Sequence, residues 1–94
     1  MAVVGVTRWV FHLPGCRSLK MKRSVVRSLR DRMIAKFKIS AAETGLQDHS
    51  SLAELAACVV SGNRRQVESI LGNVDVLVRA EPRAHVVECK TEIF

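Results

Sequence analysis

An α+β sandwich with the element order βαββαβ is predicted by three observations. The chain opens on an alternating run of β-branched and aromatic residues. Two long stretches then carry apolar residues at three- and four-residue spacing, and the remaining segments return to short alternating runs bounded by Gly, Pro, Asn or Ser. At 94 residues the chain makes a single domain, 1–94, with no room for a separate cofactor module.

Each element has its own warrant. Residues 2–13 place Val3, Thr7, Trp9, Phe11 and Leu13 on one side and Val4, Val6, Arg8, Val10 and His12 on the other. Both sides are largely apolar, which predicts a central strand, and Pro14-Gly15 stops it. Ser18 is an N-cap for a helix over 18–37, whose core face is Leu19, Val26, Leu29, Met33 and Phe37, supported by Val25. Residues 38–44 and 52–60 read as two strands joined through Gly45, Asp48 and Ser50-Ser51. Asn63 caps a second helix, with Gln66 as a capping-box partner and Val67, Ile70, Leu71, Val74 and Val78 as its apolar stripe. Pro82 closes that connection and 84–93 is the last strand. Right-handed crossovers then favour a ferredoxin-like two-layer sandwich, a four-stranded sheet with both helices on one face.

The charge is polarised. Lys and Arg number 15 against 9 Asp and Glu, a net +6. Residues 1–38 carry ten of those cations against the single Asp31, a net +9, whereas residues 39–94 carry five against eight, a net −3. No apolar run is long enough to span a membrane and no signal-like leader is evident, so a cytoplasmic protein is expected. Cys16, Cys58 and Cys89 are odd in number and widely spaced, which reads as reduced packing thiols.

Little in the sequence supports catalysis. There is no Gly-rich phosphate loop, no His-Glu-x-x-His and no paired-carboxylate constellation, so neither an enzyme, a metal site nor a cofactor is expected. His12, Cys16 and His85 would approach one sheet edge. Strict alternation, however, puts His12 with Arg8 and His85 with Val87, Cys89 and Ile93 on the core side, which separates them. Asp48, Glu43 and Glu54 read as a turn residue between two strand-borne acids.

The basic helix points to an anion. Lys20, Arg23, Arg27 and Arg30 recur along one face, with Arg17, Lys22, Arg32 and Lys36 beside them. Solubility requires neither that density nor that segregation of sign, and such a face can lie along a phosphate backbone. Arg17, Ser18, Lys20, Lys22, Arg23, Arg27 and Arg30 are the expected nucleic-acid-binding residues, Ser18 through the first-turn amides of the helix. Trp9 and Phe11 share a side with Leu13 and read as core rather than as base-stacking platforms. Double-stranded or folded RNA is therefore favoured over a sequence-specific single strand, with DNA as the other nucleic acid such a face can meet. The Val4, Val6 and Val10 side of the sheet is a candidate homodimer surface. The alternative reading is a protein-interaction module that dimerises there and meets an acidic protein through the helix. Lipid attachment is disfavoured, because the apolar face of 18–37 is needed for the core.

The stretches His12–Leu29 (HLPGCRSLKMKRSVVRSL), Ala42–Asp48 (AETGLQD), Ala53–Leu55 (AEL) and the VVSG turn into the second helix resemble the small bacterial YlxP-like proteins, a domain of unknown function. The resemblance implies a ferredoxin-like α/β sandwich and an association with RNA or the ribosome, with no assigned activity. It carries over the basic motif of Arg17, Ser18, Lys20, Lys22 and Arg23 and the Gln47-Asp48 turn. Three positions depart from that pattern. Met21 stands where Glu is usual, His49-Ser50 replaces a common Trp, and Val10 takes a position that is often acidic.

Overall fold

A computed structural model describes all 94 residues, Met1–Phe94. The order is β1 (Val3–His12), α1 (Leu19–Phe37), β2 (Ser40–Gly45), β3 (Leu52–Ser61), α2 (Arg64–Arg79) and β4 (His85–Ile93). The strands form one antiparallel sheet in the order β2-β3-β1-β4, so β1 is central as its two apolar sides require. This is the ferredoxin-like arrangement that the element order predicts.

The alternation in β1 sorts its side chains as expected. Trp9, Phe11 and Leu13 are buried with Leu55 and Ala57 of β3, Val26, Leu29 and Met33 of α1, and Val74 and Val78 of α2. The Trp9 indole N–H, cut off from water, donates to Asp75 Oδ1 of α2 at 2.9 Å, and Arg79 holds that carboxylate at 3.0 Å. Gly5 continues the same side, and a Cβ there would lie 2.3 Å from Val67 Cγ1 and 2.8 Å from Leu71 Cδ1. The missing side chain is what lets α2 settle on β1.

Two ends depart from the sequence reading. Lys38 adopts the left-handed conformation (φ 54°) as the C-cap of α1 and donates its N–H to the Ile34 carbonyl at 2.8 Å. The strand expected from residue 38 therefore starts at Ser40. In β4 the register slips where Val10 pairs with Glu88 but Phe11 pairs with Val86, leaving Val87 as the extra residue of a bulge, 60% exposed. The bulge reverses the parity of everything before it. Val86, not Val87, packs on the core, and Cys89, on the edge strand opposite Trp9, is exposed.

At the second helix, Asn63 Oδ1 accepts from the Gln66 amide at 3.3 Å as predicted. The Gln66 side chain does not return to the Asn63 amide. Ser61 Oγ stands between them, accepting from Asn63 N at 3.2 Å and donating to Gln66 Oε1 at 2.7 Å.

The helix layer is tied together by Glu81, 4% exposed in the α2–β4 connection. It accepts from Arg83 Nε, Nη2 and backbone N at 3.0, 2.8 and 2.9 Å, and from Arg32 Nη2 of α1 at 2.6 Å. These bonds, the Arg83 side chain first, outweigh burial and hold the carboxyl down at about 2. A carboxylate lowered on folding stabilises the native state above its unfolded value near 4.5, and that contribution is lost as pH falls from there towards about 2. With both guanidinium groups half exposed, the loss is roughly 1–3 kcal/mol. Urea unfolding measured between neutral and acidic pH should show it, and Glu81→Gln should flatten that part of the profile.

Candidate nucleic-acid interface

Helix α1 runs for 19 residues, about 28 Å at 1.5 Å per residue. Ser18 caps it as expected, its Oγ accepting from the Met21 amide at 3.1 Å, and no acid occupies the first turn. The Ser18 oxygen is thus committed to the cap, and only its hydroxyl hydrogen is left for an external anion. The buried stripe is Lys22, Val26, Leu29 and Met33, while Leu19 and Phe37 at the ends are half-buried.

Lys22 is the correction to the expected binding face. Its side chain is fully buried, donating from Nζ to the Leu46 carbonyl and standing 3.5 Å from Glu43 Oε2. Leu46 has a positive φ of 61°, which turns its carbonyl towards the helix. Glu43 Oε2 is buried with no other partner. A desolvated ammonium between a carbonyl and a carboxylate is structural and cannot reach phosphate. The sequence carried the signal: Lys22 lies four residues before Val26 and seven before Leu29, within the core stripe rather than beside it.

The other expected cations divide by partner. Arg17, Lys20, Arg23 and Arg27 are exposed and make no salt bridge. Arg30 is half-exposed and donates from Nε and Nη2 to Asp31 Oδ1 at 3.1 and 3.0 Å, which takes up much of its charge. The stripe of Lys20, Arg23 and Arg27 lies on the flank of α1 away from α2, since the opposite flank offers Ser28 to Arg83 (3.4 Å) and Arg32 to Glu81. Lys36 stands 5.6 Å from the Phe37 ring centroid, and Lys38 follows it at the helix end. Outside this segment, Arg65 alone among the cations lacks a salt bridge.

The sheet surface opposite the helices holds Arg8 between Glu54 of β3 and Glu88 of β4, each at 2.9 Å. Glu54 also accepts from Thr44 Oγ1 at 2.7 Å, and this bond, followed by Arg8, lowers its pKa. Sequence reading paired neither acid with Arg8, because strand order has to be known first. His12 and His85 are direct register partners, both exposed on this face. The Val87 bulge overturns the parity that had separated them. Cys16 packs on the helix-side core instead, its thiol 3.5 Å from the Ser18 carbonyl, so the three do not converge. No group of three or more His, Cys, Asp or Glu side chains is arranged to hold a metal. His49 Nδ1 accepts from the Ser51 and Leu52 amides, each at 3.1 Å, and so organises the β2–β3 turn.

The two neighbouring lysines should behave oppositely. Lys22→Ala, which empties a buried site and leaves the buried Glu43 Oε2 without its cation, should cost about 2–4 kcal/mol in urea unfolding. Lys20→Ala, at an exposed site with no partner, should change stability by less than about 0.5 kcal/mol.

Among solved structures, the chain is similar to the de novo designed protein Foldit4 at 9% identity and TM-score 0.58, covering 100% of this chain and 97% of that one. It is also similar to Rv0793 from Mycobacterium tuberculosis at 13% identity and TM-score 0.56, covering 100% and 93%. A third likeness is SnoaB, a cofactor-independent oxygenase from Streptomyces nogalater, at 16% identity and TM-score 0.53, covering 99% and 90%. At these identities the likeness is of fold alone, and a fold shared by a designed protein and an oxygenase assigns no function. No curated protein matches the sequence. No helix is long and apolar enough to cross a membrane. The family model described as "Protein of unknown function (DUF503)" matches residues 4–91, and the chain belongs to that family.

Proposed function

We propose that this protein is a non-enzymatic RNA-associated module that lays α1 along a phosphate backbone. One observation carries the reading: nearly all the cations without an acidic partner, Arg17, Lys20, Arg23, Arg27, Lys36 and Lys38, fall between residues 17 and 38. Outside this segment every cation but Arg65 has an acidic partner; within it six have none. Bare like charges repel one another, a cost that counterion release on binding phosphate turns into affinity. With Trp9 and Phe11 buried, the central strand offers bases no aromatic platform, so the contacts made by α1 are to backbone and shape, which suits folded or double-stranded RNA. The YlxP-like resemblance of His12–Leu29 supports the same direction and extends it to the ribosome as the RNA's source. A cytoplasmic location follows from that partner.

Affinity for a structured RNA should fall as salt rises, with a logarithmic slope of roughly 0.7–0.9 per neutralised phosphate. Replacing Lys20, Arg23 and Arg27 together by Gln should lower the slope by about 2–3. Unchanged slope and affinity would sink the helix-docking reading.

The uncovered sheet face supports a second element of the reading, a homodimer. Val4 and Phe94 pair backbone to backbone and carry their side chains to this face beside Val60 and Val6; Phe94 and Val60 are 72% and 67% exposed. Strand spacing and rise give the face an area of roughly 600 Å², at the lower end of what one partner buries in a stable interface. At its centre Arg8 lies between two carboxylates, which ties up the cation and leaves that group with one negative charge. Such a dimer puts both α1 helices on its outside. Sedimentation equilibrium should show a dimer that Val60→Glu with Phe94→Glu converts to monomer; a wild-type monomer at high concentration would rule the dimer out.

A further inference from the structure

Beside the first turns of α1 is a cleft of about 450 Å³, walled by the β1–α1 loop and closed on one side by Arg83. Leu13, Pro14, Met21 and Val25 make its apolar walls, and no acidic side chain lines it. Its charged groups are Lys20, which has no salt bridge, and Arg83. Arg83 is fixed before any ligand arrives. Its Nε and Nη2 are bound to Glu81 and its Nη2 also reaches Ser28 Oγ, so Nη1 is the nitrogen without a partner. Glu81 is shared with Arg32, so the Arg32–Glu81–Arg83 group retains one positive charge.

We propose that this cleft binds an amphipathic monocarboxylate, its apolar body against Leu13, Pro14, Met21 and Val25 and its carboxylate on Lys20 and Arg83. The volume falls in the range of small-molecule sites, roughly 300–1,000 Å³. The chemistry of the walls selects the ligand. A bare inorganic anion would leave the apolar walls in water, and a neutral hydrocarbon would leave two cations unused. A nucleobase would meet Ser24 as the one neutral polar side chain other than a thiol, leaving most of its hydrogen-bonding edge against apolar walls. A guanidinium held in place by a carboxylate and a hydroxyl loses little freedom when it accepts a second carboxylate, and such a charge-assisted bond is among the stronger polar contacts. The inference is independent of RNA binding, although Lys20 serves both surfaces.

Cys16 lines the cleft and is half-buried, whereas Cys58 and Cys89 lie elsewhere, so the three thiols report on occupancy with an internal control. The full chain is treated with iodoacetamide in the presence of decanoate, methyl decanoate or acetate, and modification at each cysteine is followed by mass spectrometry. Decanoate should slow reaction of Cys16 severalfold and leave Cys58 and Cys89 unchanged; methyl decanoate and acetate should protect far less. Lys20→Glu, at an exposed unpaired position, should raise the protecting concentration by about tenfold. Ser24→Trp should fill the cleft and abolish protection. Equal protection by methyl decanoate, protection indifferent to Lys20→Glu, or no protection by decanoate overturns the proposal. Should Ser24→Trp fail to fold, Lys20→Glu carries the test alone.

Discussion

A buried ammonium sets the rotation of α1, and much of the surface follows from it. Lys22 can enter the interior only where its charge is met, and it is met at one place, by the Leu46 carbonyl and the Glu43 carboxylate at the end of β2. A rotation of α1 by one residue would take Lys22 away from both groups and leave the buried Oε2 of Glu43 without a cation. With Lys22, Val26, Leu29 and Met33 fixed inward, the period of the helix sends Lys20, Arg23 and Arg27 outward. The turn that receives Lys22 is built for it. Leu46 holds a left-handed backbone, and at Gly45 a Cβ would lie 2.9 Å from the Glu54 carboxylate that Thr44 and Arg8 hold in place. The AETGLQD stretch is thus a socket for the helix.

The same logic separates two kinds of cation that look alike in the sequence. Arg8 and Arg32 find acids on other elements and so join strand to strand and helix to loop, while Arg79 and Arg83 hold in place the Asp75 and Glu81 carboxylates that Trp9 and Arg32 share. Arg17, just before the Ser18 cap, and Lys20, Arg23 and Arg27 on α1 find none. An imbalance of +6 spread evenly would say only that the protein is soluble. Concentrated as unpaired charge on and beside one helix, it is the feature on which the proposed phosphate contact rests.

Most of the fold was legible because periodicity and punctuation agree along the chain. Both helices begin at their predicted caps, Ser18 and Asn63, and the β1 alternation sorts core from surface without error at Trp9, Phe11 and Leu13. What escaped were features that depend on more than spacing. The Val87 bulge reverses the alternation of β4, and only cross-strand register reveals it; that single residue brought His12 and His85 together against expectation. Lys22 was misassigned for another reason. Residue type argued for the surface while position argued for the core, and position prevailed because Glu43 and Leu46, distant in sequence, supply its partners. The paired state of Arg30 was within reach, since Asp31 is its neighbour in the chain.

The fold leaves this protein with a charged flank on its helix layer and an uncovered sheet on the other side, and the functional account rests on the first meeting RNA. Ultraviolet crosslinking of the protein to RNA in cells, followed by mass spectrometry of the crosslinked peptides, addresses that directly. The account predicts nucleotide adducts concentrated between Arg17 and Lys38, with the strands β1 and β3 unmodified. Adducts on the sheet face with that helix clean, or no adducts above those of a generic basic protein, would contradict it.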